Sequence, residues 1–304
     1  MSAKHTLLIL FVVFLLGSAY PTGKLGLNDT IPPILFGSLR MAIVFICLIP
    51  FFKIQIIDKK YIIPLIGFSL CFGVAVNMFL YLSINASSIL APITIGAQLS
   101  IPFGIILSSI FLNEKISYKK WILIMISFFG IIILAFDPKV VDEIIGSLLI
   151  CGMAFFYGLS QVFSRYLKEL DVKFTNTIMS FTGFIILIIL SAIFEGNTFQ
   201  TIKNISLGSW FTVLYAGAII SLLGHLMMFY LYKFYPLDMV LPFYALFPVF
   251  GLILTFFIFG EIPSLVTVIG GLIVITSVFF AQKMRWFSHW KLKSIGFNFV
   301  YINC

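Results

Sequence analysis

The sequence predicts an all-α polytopic membrane protein, with ten transmembrane helices arranged as two inverted five-helix repeats. Three observations carry that prediction. Of 304 residues, 61% are hydrophobic and only 10% charged, where a soluble domain has about 25% charged; the chain has too few polar groups to cover a water-facing surface. Apolar runs such as "YIIPLIGFSLCFGVAVNMFLYLS" (61–83) reach the roughly 20 residues that a helix needs to cross about 30 Å of hydrocarbon. Basic residues fall on alternate loops, as they do in proteins that cross a bilayer repeatedly.

In order, the runs lie near 6–23, 33–52, 61–83, 89–112, 119–136, 144–164, 174–194, 207–231, 239–259 and 265–282. They are continuous, as in "FTGFIILIILSAIF" (181–194), and so suit helices rather than the alternating strands of a barrel. A helix in hydrocarbon satisfies its backbone hydrogen bonds within itself. The opening "MSAKHTLLILFVVFLLGSAY" has the basic start, apolar stretch and small-residue end of a signal peptide, but further spans follow at once, and it is expected to remain as the first helix. Cys47, Cys71 and Cys151 sit in apolar runs, and Cys304 lies beyond them, with no metal-like or redox spacing. No metal or cofactor is expected.

With the N-terminus inside, fifteen Lys and Arg residues fall in inside segments, among them the groups Lys53, Lys59, Lys60 and Arg165, Lys168, Lys173. Only Lys24, Lys139 and Lys203 fall outside, and Arg40 lies within the second run. Omitting one span would invert every later loop, so the expected topology is ten spans with both termini cytoplasmic. The net charge of +8 is mostly this bias and implies no nucleic acid; the expected partners are the lipid bilayer and a small-molecule substrate.

The chain is also written twice. A shift of 147 lays Gly104 on Gly251, Ile106 on Ile253, Leu107 on Leu254, Glu114 on Glu261 and Ser117 on Ser264, and a shift of 141 lays Gly17 on Gly158 and Lys24 on Arg165. Five spans per half is an odd number, so the second copy is upside down. The plain reading of each Glu is that it ends one helix three residues before a Ser that caps the next; the other is a part in transport. Inverted repeats build many secondary transporters, in which the two halves exchange inward-open and outward-open shapes around a midplane site.

The segments "LLGSAYPTGKLGL", "PPILFGSLRMAIVF", "APITIGAQLSIPFGIILSSIFLNEKIS" and "VLPFYALFPVFGLILTFFIFGEIPS" resemble the EamA-like family of the drug/metabolite transporter superfamily over about residues 5–282. The resemblance implies a first repeat at 5–136 and a second at 144–282; the basic, aromatic tail at 283–304, expected to be cytoplasmic, extends past it. It is nearest to bacterial exporters of amino acids and their metabolites, which implies the cell inner membrane and a central cavity lined by both halves. Gly17, Ser18 and Ala19 stand where many relatives carry a Trp-containing motif.

Polar side chains inside spans are costly, by about 2.5 to 3.5 kcal/mol for a charge at the helix centre, so each needs a reason. Gln98 lies between Pro92 and Pro102, where prolines leave carbonyls free to face a cavity; interhelical bonding is its other use. Asn77 with Tyr81, and Tyr157 with Gln161, are four apart and share a helix face. Tyr20 and Tyr244 are further candidates from the first and ninth spans. His225, well inside the eighth, titrates near neutral pH and can carry a coupled proton or join helices. Arg40 is roughly 10 Å deep at 1.5 Å per residue, and its guanidinium either snorkels to the outer surface or receives a substrate carboxylate. No Asp or Glu falls at mid-span, which argues against a carboxylate proton relay. With Arg40 as the one buried charge, the expected site suits a small zwitterion or neutral metabolite. A membrane-embedded enzyme or a lipid-handling protein is the alternative, but no HExxH, GxSxG or Walker-type segment is present.

Overall fold

The computed structural model describes residues 3–28, 31–113, 116–135, 143–224, 227, 231, 235 and 241–294, in backbone only at 135, 241–242 and 282–294. Every predicted run holds a helix: α1 (Ala3–Asn28), α2 (Pro33–Phe51), α3 (Lys59–Asn85), α4 (Ala91–Phe111), α5 (Tyr118–Ala135), α6 (Ile144–Tyr166), α7 (Val172–Phe194), α8 (Leu207–Leu223), α9 (Phe243–Phe259) and α10 (Leu265–Ser294). By length and composition six of these, α1 to α4, α6 and α7, are able to cross a membrane. A seventh is added if α8 is joined to the short helix Thr198–Asn204, from which it bends by 105°. Of the ten expected crossings, six or seven are thus long and apolar enough to span among the described residues, and α9 and the apolar part of α10 are shorter than a full span.

Two boundaries differ from the sequence reading. The first helix continues past residue 23 to Asn28, because the Lys24 ammonium finds carbonyl partners and need not leave the protein. The tenth runs on to Ser294, so the start of the expected tail continues the last helix. The short helix Thr198–Asn204 had no apolar run to announce it.

α3 packs most extensively on α6, and further pairs are α2 with α7, α5 with α10, α4 with α6, and α1 with α9. Exchanging the halves maps α2·α7 and α5·α10 onto themselves and α4·α6 and α1·α9 onto each other, the pattern of an internal twofold. Glycines make the closest approaches. A Cβ on Gly17 would lie 2.8 Å from the Gly251 nitrogen, and one on Gly158 would lie 2.7 Å from the Gly104 nitrogen. These are the same glycines that the two sequence shifts lay on one another, so α1·α9 and α6·α4 are copies of one close contact, built as membrane helices build it, from residues without side chains.

The halves share a second device. Residues 69–76 of α3 and 215–223 of α8 wind as π-helix, with carbonyls bonded five residues on, a geometry that recurs at functional sites. A shift of 144, between the other two, superimposes Gly73 on Gly217 and Asn77 on Ser221. The helix starts are capped as the sequence suggests: Ser117 Oγ accepts from the Lys120 N–H at 3.4 Å and Ser264 Oγ from the Thr267 N–H at 3.0 Å. Glu114 lies outside the described residues. Its counterpart Glu261 accepts from the Leu90 N–H at 2.9 Å and the Ala91 N–H at 2.9 Å, which fixes the start of α4 from the opposite half.

Candidate functional site: a cavity between the halves

A cavity of about 400 Å³ lies between the two repeats, within the range of small-molecule sites. Its wall includes Tyr20 from α1, Arg40 from α2, Asn77 from α3, Tyr157 and Gln161 from α6, and Tyr244 and Phe247 at the start of α9. Toward one face it reaches Ser108 near the end of α4, Lys120 at the start of α5, Arg165 at the end of α6 and Ala281 on α10. These helix ends share the face expected to be cytoplasmic.

The opposite side is closed by packing and polar contacts. Tyr81 is buried with its ring 4.6 Å from that of Phe36, and Ile84 and Leu90 are fully covered. Lys24 Nζ donates to the Ile84 carbonyl at 3.3 Å and also to that of Ser87, tying α1 to the end of α3. Both oxygens of Glu143, at the start of α6, accept from the Ser88 N–H at 3.0 Å. Glu195 accepts from the N–H groups of Ile34 at 2.6 Å and Leu35 at 3.0 Å. With Glu261, three carboxylates thus hold backbone donors, Glu195 and Glu261 at helix N-termini where negative charge is favoured, and all act between segments far apart in the chain.

Arg40 is held by both halves. Its Nε donates to Ser221 Oγ at 2.8 Å, and its Nη1 donates to Asn77 Oδ1 at 3.4 Å and to the Tyr81 hydroxyl at 3.1 Å. Each of the two repeat-related acceptors is braced by its own π-helical segment: Asn77 Nδ2 donates to the Phe72 carbonyl at 2.9 Å, and the Ser221 hydroxyl to that of Ala216 at 2.7 Å. In this structure the Arg40 guanidinium bonds to polar groups inside the protein. Among the described residues no carboxylate reaches ion-pair distance of it.

The sequence candidates sort as follows. Tyr20, Asn77, Tyr157, Gln161, Tyr244 and Arg40 line the cavity, and Tyr81 stands behind the wall as a partner of Arg40. His225 lies outside the described residues. Gln98, expected at the centre, is fully buried away from the wall. Its amide donates to the Ala245 carbonyl at 3.2 Å and to that of Tyr244 at 3.4 Å. Ala245 is 147 residues on, the repeat shift itself, so Gln98 meets its own counterpart at the pseudo-twofold axis as an interhelical amide. Beside Arg40, expected as the one buried charge, the half-buried Lys120 and Arg165 line the mouth; Arg165 was counted among the loop charges. Ser221 was missed, although the shift of 144 onto Asn77 was there to find it.

Gln98→Glu is therefore expected to lower the melting temperature in detergent far more than Gln98→Ala. Both variants take the amide N–H from the two carbonyls, but the glutamate also sets a carboxylate against them in a fully buried site, and an unpaired buried charge costs several kcal/mol more. Equal melting of the two variants would remove Gln98 from this contact.

Comparison with known proteins extends the match. The family model described as EamA-like transporter family fits residues 4–136 and, a second time, 144–282. A Bacillus subtilis protein described as "Uncharacterized transporter YdfC" is 26% identical over 181 residues, which is 59% of this chain and 58% of that relative's length. One solved crystal structure superposes with a TM-score of 0.62 at 16% identity, over 93% of this chain and 99% of the other, a likeness of fold.

Proposed function

Because the chain belongs to the EamA-like transporter family, we propose that it carries a small metabolite, an amino acid or a derivative of one, across the bacterial inner membrane by alternating access, with both termini in the cytoplasm. The observation that supports this most is the cavity: about 400 Å³ of space between repeat-related halves, reaching one face and covered at the other. A solute entering from the cytoplasmic face would meet Arg165 and Lys120 at the mouth and Arg40, Asn77 and Tyr20 at the floor. Rocking the halves about the glycine contacts would then exchange the covered side for the open one. Lys24 and Glu261 hold the outer side in this state, and their contacts must part in the other.

The test is counterflow in proteoliposomes that hold the purified full-length protein, with a panel of labelled amino acids and amino-acid derivatives. Saturable flux above that of protein-free liposomes is expected for a subset of the panel. Flux for none of them, or phospholipid scrambling without solute flux, would overturn the reading.

A further inference from the structure

We infer that the solute taken by this cavity is an organic monoanion, a carboxylate whose charge is not cancelled by an ammonium group in the same molecule, and that Arg40 receives it. N-acylated amino acids and simple monocarboxylic acids have this chemistry, whereas free amino acids do not. The inference rests on the transporter reading above and narrows its substrate class.

A guanidinium is permanently charged, and holding it in the middle of a membrane protein costs several kcal/mol unless an opposite charge stands beside it. Among the described residues, the groups that bond to Arg40 are a hydroxyl, an amide oxygen and a phenol, from Ser221, Asn77 and Tyr81. They satisfy Nε and Nη1 in hydrogen bonding and supply no charge. Nη2 donates to none of the described residues, and Arg40 lines the cavity. A structural arginine is usually completed by a carboxylate of its own protein. Here the positioning groups come from both halves and are braced on two repeat-related π-helical segments, so the fork is oriented in advance while its charge is left for a ligand.

The rest of the wall decides between an anion and a zwitterion. Its charged side chains, Arg40, Lys120 and Arg165, are all basic, and no described Asp or Glu lines it. An α-ammonium group bound beside Arg40 would lose its water and gain only neutral oxygens or the faces of Tyr20 and Tyr157. A cation–π contact contributes about 0.5 to 2 kcal/mol, less than removing an ammonium from water costs. An acylated nitrogen has no such cost, and its amide can bond to Asn77 or Gln161. The remaining surface, including Leu16, Phe72, Val76 and Ile101, suits an uncharged remainder.

The experiment measures counterflow by the full-length protein for three charge forms of alanine, serine and leucine: the N-acetyl anion, the free zwitterion and, as a competitor, the methyl ester cation. At least one N-acetyl form is expected to be carried, with the matching zwitterion competing at least tenfold more weakly and the ester not at all. Arg40→Gln is expected to lower N-acetyl flux at least tenfold while its melting temperature in detergent stays close to the native value, since losing the hydrogen bonds to Ser221, Asn77 and Tyr81 is offset by removing a charge with no counter-charge among the described residues. Zwitterion flux equal to or above anion flux, or competition by the ester, would overturn the inference and leave the transporter reading intact. The same holds if Arg40→Gln melts well below the native protein, which would make Arg40 a structural residue. Flux of no charge form would instead bring down the transporter reading.

Discussion

Gly158→Leu is expected to abolish the folded protein, seen as loss of a monodisperse peak and of a cooperative melt in detergent. The first side-chain carbon would already lie 2.7 Å from the backbone nitrogen of Gly104 and 3.0 Å from the carbonyl carbon of Phe103. Backbone cannot turn aside as a flexible side chain can, so α4 and α6 would have to separate. Forcing extra carbon into a packed contact costs about 1 to 3 kcal/mol; alanine at 158 falls in that range, and leucine exceeds it. Gly17→Leu should be as damaging, because it strikes the repeat-related contact with Gly251 and the Phe247 carbonyl, 2.5 Å away. Gly224→Ala is the control, since among the described residues the nearest atom to its added carbon is 3.8 Å away, and it should melt at or above the native temperature. A folded, active Gly158→Leu protein would refute the close glycine contact.

Glu261→Ala is expected to cost about 2 to 4 kcal/mol of stability, read as a lower melting temperature. Its carboxylate accepts from the Leu90 N–H with both oxygens, at 3.0 and 2.9 Å, and from the Ala91 N–H at 2.9 Å. Among the described residues no other group accepts from these first donors of α4, which have no partner within the helix. Glu261→Gln keeps one acceptor oxygen without the charge that favours a helix N-terminus, so it should recover part of the loss. If alanine and native proteins melt alike, Glu261 does not anchor α4. The Glu-to-Ser spacing was legible in the sequence as a helix end. That the carboxylate serves a helix 170 residues away was not.

Much of the fold was legible because the hydrocarbon acts locally. Each span must be long, apolar and internally hydrogen-bonded, and each of those demands is met within a single run of sequence. The i, i+4 spacing likewise put Tyr157 and Gln161 on one face, and the structure has both in the cavity wall. Gln98 shows where such reasoning stops. A buried amide declares only that it needs partners, and whether it finds them in a cavity or in a facing carbonyl depends on how its helix is rotated. Lys120 and Arg165 show the reverse: residues that count as loop charges by position reach the cavity mouth because long side chains extend past the helix end.

By itself, then, the sequence determined that this protein lives in a membrane, where its helices run, and that it is written as two copies of five. These follow from composition, run length and charge order, which need no knowledge of neighbours. Only the tertiary structure decided which face is covered and which polar groups are committed elsewhere. Lys24 meets Ile84, Glu195 meets Ile34, and Arg40 meets Ser221, across separations that no periodicity records. A hydrogen bond is short-ranged and directional, so its partner is chosen by packing, and that Arg40 bonds to uncharged groups from both halves becomes visible only when those groups have been placed.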